Sequence, residues 1–266
     1  MTDHWAQALA SWAIPPEILA QAEHDPWAHR VDRFAQRADR AMAEPVGPSF
    51  ERAAEVLRDR PGSVLDVGAG AGAASLPLAT WATHITAVDS NQQMLTAFDR
   101  RAGQLGVAHS TVEGTWPAVS GEVPPHDVAV VHHVVYNVPD IVPFVRGLDR
   151  ASRRRVVLEL PTHHPLSWMN PLWEQFHGLT RPTSPTAGDL VEILSALGLS
   201  DVSAEYWSTQ RDAGAATADE LQAHAEEVTG RLCLPVSRAP DVAAALEGID
   251  QHFRDLVTVS WTPTAS

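Results

Sequence analysis

Val64-Leu65-Asp66-Val67-Gly68-Ala69-Gly70-Ala71-Gly72 constrains this chain more than any other stretch. Apolar residues over 63–67 form a buried strand. The glycines after it let the backbone turn sharply with little side-chain bulk. A helix predicted over 73–81 would then turn its N-terminal amides toward a ligand. Pro77 lies inside that helix and has no amide to donate, so the helix kinks there or starts later. A dinucleotide site begins with a similar loop, and Gly68-x-Gly70-x-x-Ala73 satisfies its loose pattern. Asp66 argues against that reading, because a dinucleotide fingerprint carries an apolar residue two positions before its first glycine.

The loop sits in a regular alternation. From residue 48 onward, strands at 63–67, 84–88, 109–112, 127–131 and 155–160 alternate with helices at 50–58, 73–81, 91–105 and 138–150. Ser49 is placed to cap the first of these helices, and Gly106 to close the one at 91–105. A helix at 187–197, a strand at 202–208, helices at 218–231 and 239–252, and a strand at 256–261 complete the chain. Repeated strand–helix units of this length imply an α/β fold, a mostly parallel sheet with helices on both faces. Residues 1–47 form a helical arm or lid, with Trp5, Leu9 and Trp12 at helical spacing. Residues 48–266 form the main domain. Two connections exceed what an alternating fold needs, at 161–186 and at 213–250, the second a helical insertion before the last strand. Long connections beyond the strand ends make pocket walls more often than plain turns do.

Asp66-x-Gly68-x-Gly70-x-Gly72 closely resembles motif I of the class I S-adenosylmethionine-dependent methyltransferases. The resemblance continues in Ile85-Thr86-Ala87-Val88-Asp89, which looks like that family's second strand ending in its acidic residue. It extends to 127–140, similar to the family's fourth strand and the segment after it. It covers residues 48–160 well, the last strand moderately and the arm hardly at all. It implies a Rossmann-like sheet of seven strands, S-adenosyl-L-methionine as cofactor, and methyl transfer. It also implies a cofactor site of Asp66, Gly68, Ala69, Gly70, Gly72, Asp89, Ser90 and Met94, with Gly114, Thr115, Trp116 and His132. Asp89 would accept the ribose hydroxyls, and Met94 would pack on the adenine. Thr115 stands where the family often has an Asp beside the adenine. Trp116 either supplies a stacking face or belongs to the core.

Chemistry beyond the cofactor would come from strand ends. His132, His133, Tyr136 and His163 are the candidates for catalysis, with Glu159 and His164 beside them. Neighbouring residues on a strand point to opposite faces, so only one of His132 and His133 is expected to face a substrate. Trp168, Leu172 and Trp173 form either an apolar acceptor wall or a satellite core. No carboxylate or third histidine stands at a ligand spacing from His163-His164, so no metal is expected.

All nineteen basic residues are arginine, which excludes lysine-dependent chemistry, including the Tyr-x-x-x-Lys pair of many hydride-transfer enzymes. A net charge of −14 makes nucleic acid and anionic membranes poor partners. The single cysteine, Cys233, excludes an internal disulfide, and no apolar run reaches membrane-spanning length. A cytoplasmic protein acting on a small-molecule acceptor is the expectation, with acceptor and oligomeric state open. The alternatives are a dinucleotide-dependent oxidoreductase and a non-catalytic cofactor-binding module.

Overall fold

The computed structural model describes residues 2–27, 31–210, 217–249 and 253–264. The strands are β1 (Gly62–Val67), β2 (Ala82–Asp89), β3 (His109–Glu113), β4 (His126–His132), β5 (Ser152–Pro161), β6 (Ser200–Gln210) and β7 (Phe253–Thr262). They form one sheet in the order β3-β2-β1-β4-β5-β7-β6. All pairs are parallel except those of β7, which runs antiparallel to both β5 and β6. The fold is α/β and Rossmann-like, with helices on both faces, the mostly parallel seven-stranded sheet that the resemblance implies. Chain direction across the sheet reverses between β1 and β4. In such sheets the crevice beyond the carboxyl ends of the two strands at that reversal is where ligands bind.

Side-chain alternation divides the core in two. Leu65, Val67, Ala129, Val131, Val156 and Leu158 face α6 (Ile141–Arg150) and α8 (Ala187–Ala196). Val64, Ile85, Val128, Val130 and Val157 face α4 (Pro48–Asp59) and α5 (Gln92–Leu105). The same period of two carries Asp66, His132 and Glu159 onto the α4 face at the ends of β1, β4 and β5.

The helix expected over 73–81 is absent. Residues after Gly72 make turns and a single short 3-10 helix, Leu76–Leu78. Pro77 explains this: it cannot donate to the Ala73 carbonyl, and its ring crowds the turn before it. Ser49 does not cap α4 either. Gly47 occupies that position, and the Ser49 hydroxyl, already in the first turn, donates to Glu159 Oε2. The helix expected over 239–252 ends at Leu246 in α10 (Ala239–Leu246), and residues 250–252 lie outside the described residues.

The arm is part of the core. In α1 (Thr2–Ala10), Trp5 is 1% exposed, stacks on Tyr136 with ring centroids 5.9 Å apart, and donates its indole N–H to Val138 O at 2.9 Å. Trp12 stacks on His164 at 3.8 Å, and Arg181 lies over Trp12 and donates to the Ala13 carbonyl at 3.0 Å. The short helix α2 (Pro16–Leu19) leads into a satellite core with α7 (Asn170–His177), α9 (Ala218–Arg231) and α10. Leu172 and Trp173 are buried there, and Trp168 stacks on His224 at 6.2 Å. This trio therefore packs the long connection against the arm and insertion instead of forming a free acceptor wall. Among the described residues, no helix is long and apolar enough to cross a membrane.

Candidate active site

The glycine loop leaves β1 with positive φ at Gly68, Gly70 and Gly72 (70°, 53° and 95°), a region that side chains other than glycine rarely adopt. A Cβ at Gly68 would overlap Val134, and one at Gly72 would overlap Leu76 and Phe98. Gly70 is different, since among the described residues the only atom within contact of its missing Cβ is Cδ1 of Phe34, at 3.3 Å. Phe34 belongs to α3 (Val31–Ala43), the last helix of the arm, which crosses the loop with Ala38 packed on Ala71 and Ala97. Arg101 of α5 fastens α3 there by donating to both carboxylate oxygens of Asp39, at 2.7 and 2.9 Å.

Asp89 ends β2 beside this loop. Its Oδ2 accepts the Gly70 amide at 2.8 Å and its Oδ1 the Asn91 amide at 2.9 Å. Each oxygen keeps a lone pair for a further donor. Asn91 caps α5, accepting from the amides of Gln93 and Met94, and holds Met94 buried at the first turn. Gly114 donates to the Asp89 carbonyl at 2.9 Å. Ser90 and Thr115 are exposed on the same rim. Trp116 is not on the rim. Its ring is 8% exposed, lies against Gly147 and donates to the Phe144 carbonyl at 3.3 Å, so it packs beneath α6 as core and not as a stacking face.

Asp66 is buried behind the loop. Ser75 donates to its Oδ2 at 2.5 Å, while Oδ1 has no partner among the described residues. Burial pushes this carboxyl up to about 7, against the Ser75 hydrogen bond and with help from the negative charge of Asp89.

Two strands further across the sheet, Glu159 collects a cluster. Its Oε1 lies 3.0 Å from His133 Nε2, 3.8 Å from His132 Nδ1 and 3.6 Å from the Arg37 guanidinium, and its Oε2 accepts from Ser49. Arg37 also reaches His133 Nε2. That nitrogen can accept from Arg37 or donate to Glu159, not both, so the two compete for it. His133 has φ 60°, which breaks strand alternation. Both histidines therefore turn to Glu159, where alternation alone predicted only one.

Burial opposes ionisation of Glu159, but His132, His133 and the Ser49 hydroxyl outweigh it and hold its carboxyl below the usual range. Burial lowers both histidines, His133 to about 3 with Arg37 adding to the effect, so both are neutral at neutral pH. His132 Nε2 is buried and has no partner among the described residues.

The other candidates fall elsewhere. Tyr136 donates to the Pro161 carbonyl at 2.9 Å beneath Trp5, which uses its hydroxyl proton structurally. His163 is exposed and meets only Thr162, at 3.2 Å, among its side-chain partners. It is His164 that is buried, against Trp12. Arg37 and Ser49 were not foreseen. They come from far-apart segments with no motif, and only the shared parity of His132 and Glu159 hints at where they meet.

Residues 64–154 match a family model described as a methyltransferase domain. A Geobacter sulfurreducens S-adenosylmethionine-dependent methyltransferase, solved with S-adenosyl-L-homocysteine, is similar at 21% identity and a TM-score of 0.56, over 89% of this chain and 99% of that one. A Thiobacillus denitrificans methyltransferase with the same ligand is similar at 18% identity and 0.53, over 89% and 99%. YcgJ of Bacillus subtilis is similar at 15% identity and 0.52, over 81% of this chain and all of that one. No curated protein matches the chain in sequence.

Proposed function

From a chain whose residues 64–154 belong to the methyltransferase domain family, on the class I fold, we propose an enzyme that binds S-adenosyl-L-methionine and methylates a small organic acceptor. The observation that carries this reading is a pair of buried polar atoms without partners among the described residues, Asp66 Oδ1 and His132 Nε2. They lie at the ends of β1 and β4, on either side of the reversal in strand order. Unpaired buried polar atoms are costly, and a ligand at this point would satisfy both.

The donor set fits the cofactor. Gly68, Ala69, Gly70 and Gly72 leave space for a close approach to backbone, Asp66 offers an open oxygen for an amine, and Asp89 offers open lone pairs for ribose hydroxyls. Met94, Gly114 and Thr115 would border the base. When bound, the cofactor supplies a methyl group activated on a sulfonium. The chain's own residues position the acceptor and take its proton. Glu159 faces Nδ1 of His132 and favours the tautomer with its proton there. That leaves His132 Nε2 in the proton-accepting form. The arm and the insertion exclude water from this side.

Thermal unfolding with S-adenosyl-L-homocysteine and with NAD tests the cofactor reading. Saturating homocysteine nucleoside should raise the midpoint, since ligand at about 100 Kd adds about 2.7 kcal/mol. NAD should leave it unchanged. Stabilisation by NAD alone would overturn the reading. Radiolabelled methyl transfer across an acceptor panel then separates an enzyme from a binding module.

A further inference from the structure

The satellite core buries a guanidinium with no carboxylate against it. Arg181 is 7% exposed, its head 5.5 Å from the Trp12 ring centroid and 5.0 Å from that of Trp173. Its terminal nitrogens donate to the main-chain carbonyls of Ala13, at 3.0 Å, and Trp12. Nε is buried and has no partner among the described residues. Carbonyls and ring faces supply partial charges only, so a full positive charge stays uncompensated. Arg181 lines a cavity of about 10 Å³ with Trp12, Trp27, Met169, Trp173 and Arg231. Arg231, in the last turn of α9, donates to the Pro26 carbonyl at 3.4 Å and to Glu227 Oε1 at 3.2 and 3.3 Å. Glu227 is shared, since its Oε2 also pairs with Arg33. Among the described residues, no acidic side chain lines the cavity.

We propose that this cavity is a halide site, holding one chloride between Arg181 and Arg231. Volume decides the class of guest. About 10 Å³ admits one water-sized or monatomic guest and excludes carboxylates, phosphate and sulfate. Charge decides between the guests that fit. Two guanidinium groups repel a cation. A water offers Arg181 only a dipole, whereas an anion cancels a charge that is otherwise buried alone. Tryptophan and methionine walls leave a guest little hydration, which favours chloride over the strongly hydrated fluoride. The ion fastens three segments at one point: Trp12 of the arm, Arg181 of the long connection and Arg231 of α9. The arm is thereby seated with a strength that follows anion concentration. No residue of the glycine loop or of the Glu159 cluster lines the cavity, so the inference stands apart from the identity of cofactor and acceptor.

Crystals of the full chain grown in sodium bromide test this directly, because bromide replaces chloride and scatters anomalously at its absorption edge. The expected result is an anomalous peak in the cavity, between the two guanidinium groups. A cavity holding only water, or peaks confined to the surface (an adventitious ion only), overturns the proposal. In solution, the thermal midpoint is followed as sodium chloride replaces sodium gluconate at fixed ionic strength, gluconate being too large to enter. Each tenfold rise in chloride above its Kd should raise the wild-type midpoint by about 3–5 °C. The dependence should vanish in Arg181→Gln and weaken in Arg231→Gln, which leaves the Arg181 contacts to the arm in place. A wild-type midpoint indifferent to the exchange, or a dependence undiminished in Arg231→Gln, overturns the proposal too. If Arg181→Gln does not fold, Arg231→Gln and the bromide map still decide.

Discussion

Beside β1 and β2, the groups that meet are mostly backbone: Gly70 and Asn91 donate their amides to Asp89, and the loop turns on glycines. Beside β4 and β5 they are side chains. Arg37, Ser49, His132, His133 and Glu159 converge from four stretches of chain. The first region makes a site that any sequence with the right glycines and one carboxylate can build, and it suits a constant ligand. The second makes a site whose chemistry changes with single substitutions, and it suits a particular acceptor. The arm joins the two, with Phe34 over the loop and Arg37 in the cluster, both on α3.

The largest test of this division is Trp5→Ala. It removes a buried indole from the main core and should cost about 3–5 kcal/mol, read by urea unfolding. Removing the arm should therefore destabilise the whole sheet and not merely uncover a pocket. A loss below about 1 kcal/mol would make the arm a detachable lid.

A second test concerns Asp66, which belongs to the backbone-built half but titrates. Its folded pKa, about 7, lies above the unfolded value of 3.8. The folded state therefore binds the extra proton, and stability from this group falls as pH rises from about 4 to about 7. Asp66→Asn should flatten that slope. If Asp66 meets the amine of the cofactor, binding S-adenosyl-L-homocysteine at pH 7 should release about half a proton, read by calorimetry in buffers of different ionisation enthalpy. No proton release would remove Asp66 from the contact.

The smallest expected effect is at the tether. Asp39 is held below its usual pKa by its hydrogen bonds from Arg101, and its side chain is 56% exposed. The pair's contribution should be under about 1 kcal/mol after solvent screening, fully present above about pH 4 and lost as pH falls through the lowered pKa. Asp39→Asn should remove it and leave both sites intact. A change in ligand affinity larger than its change in stability would show that α3 gates the loop.

The two regions also differ in how far they could be read in advance. Asp66, the three glycines and Asp89 lie in short contiguous runs whose spacing follows from strand and turn geometry. A mostly parallel sheet of seven strands follows from the resemblance those runs carry. Side-chain geometry at the cluster does not. His133 faces Glu159 only because φ at 60° overrides alternation, and Ser49 reaches Glu159 because α4 starts two residues earlier than its apparent cap implies. Trp116 and Tyr136 looked like pocket residues because aromatic side chains near a strand end serve either purpose, and here packing against α6 and the arm claims them. Pro77 gave its warning in the sequence, and the structure follows it.

The division is tested most directly by titrating S-adenosyl-L-homocysteine into the wild-type protein, Asp89→Ala and Glu159→Gln under one set of conditions. Asp89→Ala removes charge-assisted hydrogen bonds and should weaken binding by about tenfold or more. Glu159→Gln should change it by less than about threefold, since that carboxylate serves the other half of the pocket. Undiminished binding in folded Asp89→Ala, or a loss in Glu159→Gln as large as that in Asp89→Ala, would contradict the account.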